Sequence, residues 1–252
     1  MKKIGNYKFL FGLIGRNISY SFSRNFFLEK FKKESIFHAD YKIFDIPKIE
    51  NVSFLFKNPL LRGCNITIPY KTSIIPFLTK VVAEAKSTKS VNVIKINKNG
   101  CKVGYNTDVL GFELSFKKDI VKFPFKDLKA LILGTGGVSK TVSFVLDKLK
   151  IPYKYVSRTR NNKFLSYEDI NENLLEEYKI VINCTPLGTF PNNSYPLLPY
   201  QHVSSKHYFY DLVYNPSKTL FLKKAEKKGA RIKNGLEMFY LQAEESWKIW
   251  NS

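Results

Sequence analysis

Two groups of residues in this 252-residue chain have the types and spacing to do chemistry. The first is Gly134-Thr135-Gly136-Gly137, directly after the apolar run Ala130-Leu131-Ile132-Leu133 and before a helical stretch that reaches about Lys150. Glycines between a strand and a helix let the backbone approach a pyrophosphate closely, and the unpaired N–H groups of the helix start face it. The spelling departs from GxGxxG, because Ser139 stands at the third glycine position. Many glycine clusters are only turns, and it is the placement between strand and helix that marks this one as a nucleotide loop. An NAD site would put Asp or Glu at the end of the next strand, to hold the ribose 2′-hydroxyl. Here the chain has Ser157-Arg158-Thr159-Arg160, with Lys163 close by. Guanidinium and hydroxyl groups suit a 2′-phosphate, so the expected cofactor is NADP(H).

The second group concerns protons. Hydride transfer to a ketone needs a proton donor beside the developing alkoxide. His38, His202 and His207 lie in no recognisable motif, which leaves lysine and a carboxylate as the natural alternatives. Gly63-Cys64-Asn65-Ile66-Thr67-Ile68-Pro69-Tyr70-Lys71 ends a strand with polar groups on one face: Asn65, Thr67 and, past the proline, Lys71. Gly104-Tyr105-Asn106-Thr107-Asp108 puts a carboxylate at a strand-to-helix junction. Taken singly, such a lysine is ordinarily a solvated surface residue and such an aspartate an N-cap.

These residues need elements to hold them. Residues 7–14 read as a buried strand. Residues 21–32 read as a helix, with Phe22, Phe26, Phe27 and Phe31 at helical spacing and serines suited to cap its start. Strands follow at 40–45 and 61–68, with a short helix before Pro59 and a helical stretch opened by Pro69. Residues 91–95 and 101–105 flank Asn99-Gly100, a hairpin signal. From Lys129 on, strands at 130–133, 153–157, 179–183 and 208–213 alternate with helices, among them 219–228, stopped by Gly229. That alternation implies a parallel, doubly wound sheet. Residues 236–249 form a closing helix.

Composition narrows the class. Hydrophobic residues make up 44%, which fits a globular chain, and no apolar run is long enough for a bilayer. Lys8 interrupts the apolar part of the basic start, so a strand fits better there than a signal peptide. Cys64, Cys101 and Cys184 form no zinc spacing and no CxxC pair, so no metal site is expected and a reducing, cytoplasmic compartment fits. The net charge of +20 would suit a nucleic-acid binder. However, the lysines are spread along the chain instead of forming a tail or stripe, and Lys, Asn, Ile, Phe and Tyr all use A/T-rich codons. No nucleic-acid partner is expected.

The chain resembles the shikimate dehydrogenase family at these same residues. Gly12-Leu13-Ile14-Gly15, then Ser21-Phe22-Ser23, is similar to that family's substrate-carboxylate segment. Asn65 to Lys71 resembles its NVTxPxK segment, and Val91-Asn92 and Asn106-Thr107-Asp108 resemble AVNT and DNTD. The glycine loop and Ser157-Arg158-Thr159 resemble GAGG and NRT. Asn183-Cys184-Thr185-Pro186-Leu187-Gly188, Asp211-Leu212-Val213-Tyr214-Asn215-Pro216 and Asn234-Gly235-Leu236-Glu237-Met238 follow in family order, with Gln242 last.

The resemblance implies a division of labour. Lys71 and Asp108 would be catalytic. Ser21, Ser23 and Tyr214 would hold the substrate carboxylate, and Thr67, Asn92 and Gln242 its ring hydroxyls. Gly134, Gly136, Gly137, Ser157, Arg158, Thr159, Thr185 and Gly235 would hold NADP(H). The implied reaction is reduction of 3-dehydroshikimate to shikimate by NADPH, a step toward chorismate and the aromatic amino acids, by a monomer or homodimer. The expected fold is α/β, with an N-terminal substrate domain over 1–107 and a Rossmann-like NADP-binding domain over 108–234. The active site would lie in the cleft between them, and a C-terminal helix over 235–252 would pack back on the first domain.

Four positions depart from the family pattern: Asn17 and Arg24 where prolines are common, Tyr20 where histidine is, and Val93 at the threonine of AVNT. A quinate dehydrogenase, or one using NAD, is a close alternative reading. Methylenetetrahydrofolate dehydrogenase has a similar two-domain plan, but paired serines and Gln242 suit a pterin poorly.

Overall fold

The computed structural model describes residues 8–19, 21–122, 127–159, 162–191 and 193–252; Tyr7, Tyr20 and Arg160, named above, lie outside them. The chain divides into two compact units: Met1–Thr107 with Ala243–Ser252, and Asp108–Gln242.

The first unit contains strands β1 (Phe9–Gly15), β2 (Ala39–Asp45), β3 (Leu61–Ile66), β4 (Lys80–Val81), β5 (Val93–Ile96) and β6 (Lys102–Tyr105), and helices α1 (Ser23–Lys33), α2 (Val52–Leu55) and α3 (Ala83–Thr88). The sheet order is β2-β1-β3-β5-β6-β4. Strand β1 is parallel to both neighbours, while β5 is antiparallel to β3 and β6. Successive side chains of a strand point to opposite faces. Thus Leu10 and Ile14 enter one core with Cys64, Ile66, Val52 and Ala85, and Phe11 and Leu13 enter the other with Phe27, Phe31 and Tyr41. Trp250 closes the second core. It stacks on Phe11 at 4.8 Å, and its indole N–H donates to the Ile94 carbonyl at 2.9 Å. Gly63 makes room for it, since a Cβ there would sit 2.2 Å from the indole nitrogen.

Two expectations are corrected in this unit. Past Pro69 the chain forms turns and one 3-10 turn, Ile75–Phe77, rather than a helix. Pro76 lacks an amide donor and disfavours the α conformation at Ile75, so a helix cannot run through. The start of α1 has no side-chain cap; instead the Ser21 hydroxyl accepts from the Ser23 N–H at 3.3 Å. Asn17, at a position where proline is common, has φ +55°. Proline cannot adopt that angle, and the Asn17 amide donates to Asp45 Oδ1 at 2.9 Å, a bond proline could not make.

The second unit carries strands β7 (Ala130–Leu133), β8 (Tyr153–Ser157), β9 (Leu165–Ser166), β10 (Ile180–Asn183), β11 (Tyr208–Asp211) and β12 (Arg231–Asn234). Its helices are α4 (Thr107–Ile120), which starts on the last residue of the first unit, α5 (Gly137–Lys148), α6 (Glu172–Glu177), α7 (Leu220–Glu226) and the first part of α8 (Leu236–Asn251). All six strands are parallel, in the order β12-β11-β10-β7-β8-β9. Counted in chain order from β9, this is the 3-2-1-4-5-6 order of doubly wound dinucleotide-binding sheets. Both faces are covered, so β7, β10 and β11 are buried throughout. Ile132, Ile182 and Tyr210 meet α4 and α5 on one face, and Leu133, Val181 and Phe209 meet α6 and α7 on the other. Strands β4, β9 and β12 and helices α3 and α6 had no clear signal in the sequence. No helix among the described residues is long and apolar enough to cross a membrane.

Candidate active site

Ligands of doubly wound sheets bind outside the carboxyl ends of the strands, where the strand order reverses. Here that point lies between β7 and β10, and the glycine loop follows β7. Gly134 has φ +99°, a left-handed conformation suited to glycine, and its amide donates to the Val156 carbonyl of β8 at 2.8 Å. A Cβ on Gly136 would meet nothing within 4 Å, so the loop is open on that side. Gly137 begins α5, which has no side-chain cap among the described residues, leaving its first amides for a ligand. Ser139, at the third glycine position, is buried and donates its hydroxyl to the Gly136 carbonyl at 2.7 Å. A small side chain folded back on its own turn substitutes there for glycine. These features fit a pyrophosphate.

Beside this loop, Ser157 ends β8, and Arg158 and Thr159 are exposed just beyond it. The Thr159 amide donates to the Ser157 hydroxyl at 3.4 Å. Thr185 follows β10, with its Cγ2 3.0 Å from where a Gly134 Cβ would stand. Its amide and hydroxyl both donate to Asn183 Oδ1, at 3.0 and 2.6 Å. Next to it, burial pushes the Cys184 thiol well up, so it stays neutral. Gly235 lies just before α8, where a Cβ would come 2.2 Å from the Leu212 carbonyl. Only glycine lets α8 start so close to the loop after β11. In that loop Tyr214 is half-buried, its ring 5.0 Å from Phe239. Gln242, one turn further along α8, donates to the Phe239 carbonyl at 3.1 Å. Gly111 of α4 permits this approach, since a Cβ there would lie 2.7 Å from the Met238 carbonyl and 3.1 Å from Gln242 Cβ.

The first unit brings another set together. Thr67 follows β3 and is half-buried, packed over Gly15, where a Cβ would sit 2.7 Å from its methyl. The Lys71 carbonyl accepts from the Val91 amide at 2.8 Å, which ties the lysine to the strand entry that carries Asn92. Asn92 is buried. Its Nδ2 donates to the Thr107 hydroxyl at 3.0 Å, and its Oδ1 accepts from the Thr107 amide at 2.7 Å. Asn92 thereby holds the residue before Asp108, which is buried in the first turn of α4. A neutral chain continues from there. Thr107 meets Ser246 at 3.3 Å, Asn65 donates to Ser246 at 3.0 Å, and Tyr41 donates to Asn65 at 2.8 Å.

Ser21 and Ser23 are joined at 3.3 Å. Ser21 lines a depression of about 210 Å³ with Ser19, Phe22, Arg24, Asn25 and Ile43. Lys71 belongs to the first unit, and Asp108 opens the second. His207 is buried against the Leu175 carbonyl at 3.0 Å, a structural position. Asn65, Thr107, Ser246, Asn183 and Asp211 carry no role that the sequence alone assigns. A signal exists for two of them, since Asn183 and Asp211 are the one polar end of strands whose other residues are aliphatic or aromatic.

A family model for the shikimate dehydrogenase substrate binding domain matches residues 13–94. The chain is 35% identical to a shikimate dehydrogenase (NADP(+)) of Pelagibacter ubique, over 96% of this chain and 92% of that protein. The crystal structure of shikimate dehydrogenase from Aquifex aeolicus matches with a TM-score of 0.83 at 32% identity, covering 97% of this chain and 92% of that one. A shikimate 5-dehydrogenase of Thermus thermophilus, solved in complex with NADP(H) and shikimate, matches with a TM-score of 0.82 at 25% identity, covering 96% and 93%. With identity sustained along nearly the whole of both chains and the same two-sheet architecture, this chain belongs to the shikimate dehydrogenase family.

Proposed function

We propose that the chain catalyses the reversible, NADPH-dependent reduction of 3-dehydroshikimate to shikimate. The observation that carries the cofactor half is the open Gly134–Gly136 loop at the switch point of a 3-2-1-4-5-6 sheet, with Arg158 one residue past the next strand. The substrate half rests on family membership and on the names of the relatives.

In this reading the second unit holds NADP(H). The amides of the glycine loop and the start of α5 face the pyrophosphate, Arg158 with Ser157 and Thr159 faces the 2′-phosphate, and Thr185 and Gly235 border the rest. The bound cofactor supplies the hydride, which no side chain can. Ser21, Ser23 and Tyr214 hold the substrate carboxylate by hydroxyl donors, and Thr67, Asn92 and Gln242 hold its ring hydroxyls. The Lys71 ammonium stabilises negative charge on the reacting oxygen and gives it the proton, and Asp108 orients the reacting groups. The unpaired cysteines fit a reducing, cytoplasmic setting.

A spectrophotometric assay of shikimate oxidation with NADP, run beside NAD and beside quinate, tests this. The highest kcat/KM is expected for shikimate with NADP. A preference for quinate or for NAD replaces the reading with the close alternative, and no turnover with any pair removes it.

A further inference from the structure

Asp211 ends β11 with no exposed surface. A carboxylate taken out of water is costly unless its oxygens are matched by donors. Here they are matched by neutral ones. Oδ1 accepts from Asn183 Nδ2 at 2.9 Å and from the Val213 amide at 3.0 Å, and Oδ2 accepts from the Thr219 hydroxyl at 2.5 Å. Each donor belongs to a different piece of the carboxyl edge of the sheet. Asn183 ends β10, Val213 lies in the loop after β11, and Thr219 caps α7 through the Leu222 amide.

Asn183 passes the constraint on. Its Oδ1 receives both Thr185 donors, its Nδ2 also reaches the Leu187 carbonyl at 3.3 Å, and the Leu187 amide donates to the Thr185 hydroxyl at 3.3 Å. The loop after β10 is therefore shaped through Asn183. The loop after β11 is shaped through Val213, whose carbonyl accepts from the Gly235 amide at 3.4 Å and whose next residue is Tyr214. Gly188, at φ +92°, fits the first loop closely over Thr219, where a Cβ would sit 3.1 Å from the threonine methyl.

We infer that Asp211 is a positioning residue: one buried carboxylate holds the Thr185 loop and the Tyr214 loop in a single relation, so that binding of cofactor and of the substrate carboxylate both depend on it. The inference deepens the function proposed above and rests on it. Burial pushes the Asp211 carboxyl up to about 6, against the pull of its three donors, so it is ionised at neutral pH and every donor has an acceptor. The titratable neighbours that feel its charge, Cys184 and Tyr200, are themselves pushed up by burial and stay neutral. An asparagine at 211 keeps the shape but turns an NH2 toward one of the three donors.

The test uses the full chain. Asp211→Asn should raise KM for NADP and for shikimate together, each roughly tenfold for one mismatched bond to a charged group, with a smaller change in kcat. If Asp211 acts through Asn183 on Thr185, the combination with Thr185→Val should be non-additive, with KM for NADP within about twofold of Thr185→Val alone. Asp211→Asn that lowers only the unfolding temperature and leaves both KM values within about twofold of wild type overturns the inference, as does full additivity. Should Asp211→Asn not fold, Thr219→Val and Thr219→Ser decide. Loss of the hydroxyl should raise both KM values and serine should restore them, whereas wild-type constants in Thr219→Val refute the role. If wild type fails to oxidise shikimate, the function proposed above falls separately. Calorimetric titration of NADP then decides Asp211: weaker binding in Asp211→Asn supports it, and equal affinity, or no binding by wild type, overturns it.

Discussion

In the first unit Asn92, and through Thr107 the residue before Asp108, belong to a buried chain of neutral hydrogen bonds, Tyr41 to Asn65 to Ser246 to Thr107 to Asn92, whose members are at most 5% exposed. In the second unit groups that would meet a cofactor stand in loops open to solvent, Gly136, Arg158 and Thr159 among them. The difference teaches where function and stability are coupled. A buried donor left unmatched costs about 1–3 kcal/mol, so changes in the first network disturb fold and chemistry together. Changes in the open loops of the second unit should alter affinity alone.

The sharpest way to probe the first side is Lys71, which is tied to its neighbours by its backbone carbonyl while its side chain is half-buried. Lys71→Ala should lower kcat by about 10²–10⁴, with KM for shikimate much less affected, because a proton donor acts mainly in the transition state. A variant keeping most of the wild-type turnover would remove lysine from the chemistry. The serines come next. Ser21→Ala with Ser23→Ala should weaken shikimate binding by roughly 10- to 100-fold, the loss expected for hydrogen bonds to a charged group. Equal affinity by calorimetry would mean that the carboxylate is held elsewhere.

Arg158 probes the second side. Arg158→Ala should weaken NADP by roughly tenfold, leave NAD unchanged, and leave the unfolding temperature where it was. An equal loss for both cofactors would make the arginine structural and erase the contrast between the units. The smallest effect concerns the ion cluster that ties α8 to α4 and β12. Burial opposes ionisation of Glu237, but hydrogen bonds from Lys118 at 2.7 Å and Lys233 at 2.5 Å outweigh it and hold its carboxyl down at about 2. A depressed carboxylate contributes stability that is complete above its ordinary value of 4.5 and is lost as pH falls toward 2. Glu237→Gln should therefore flatten the fall of the unfolding temperature across that acid range. If calorimetry finds the variant as acid-sensitive as wild type, the cluster does not act through this carboxylate.

Much of the second unit is legible because its signals are local. A four-residue apolar run marks β7 and a three-residue one, Ile180–Ile182, marks β10, Tyr153–Ser157 has the same bounds in sequence and structure, and Asn99-Gly100 marks the hairpin of β5 and β6 in the first unit. The two-residue strands β4 and β9 are not legible, because so short a segment has no period of its own and pairs only when a neighbour offers an edge. The helix expected after Pro69 fails for a reason also present in the sequence, Pro76, which outweighs the first-turn signal of Pro69.

What the sequence by itself determined is a set of local commitments: which apolar runs are strands, where the longer helices lie, where glycine gives a loop its freedom, and where a basic residue follows a strand in place of an acid. These depend on residues within a few positions of one another. Only the tertiary structure decided the strand order that makes the Gly134 loop a switch point, the need for glycine at 235 under the Leu212 carbonyl, and the junctions Asn183–Asp211 and Asn65–Ser246. Those partners are 28 and 181 positions apart, and whether a buried polar group is a cost or a joint depends on which distant donor the fold brings to it.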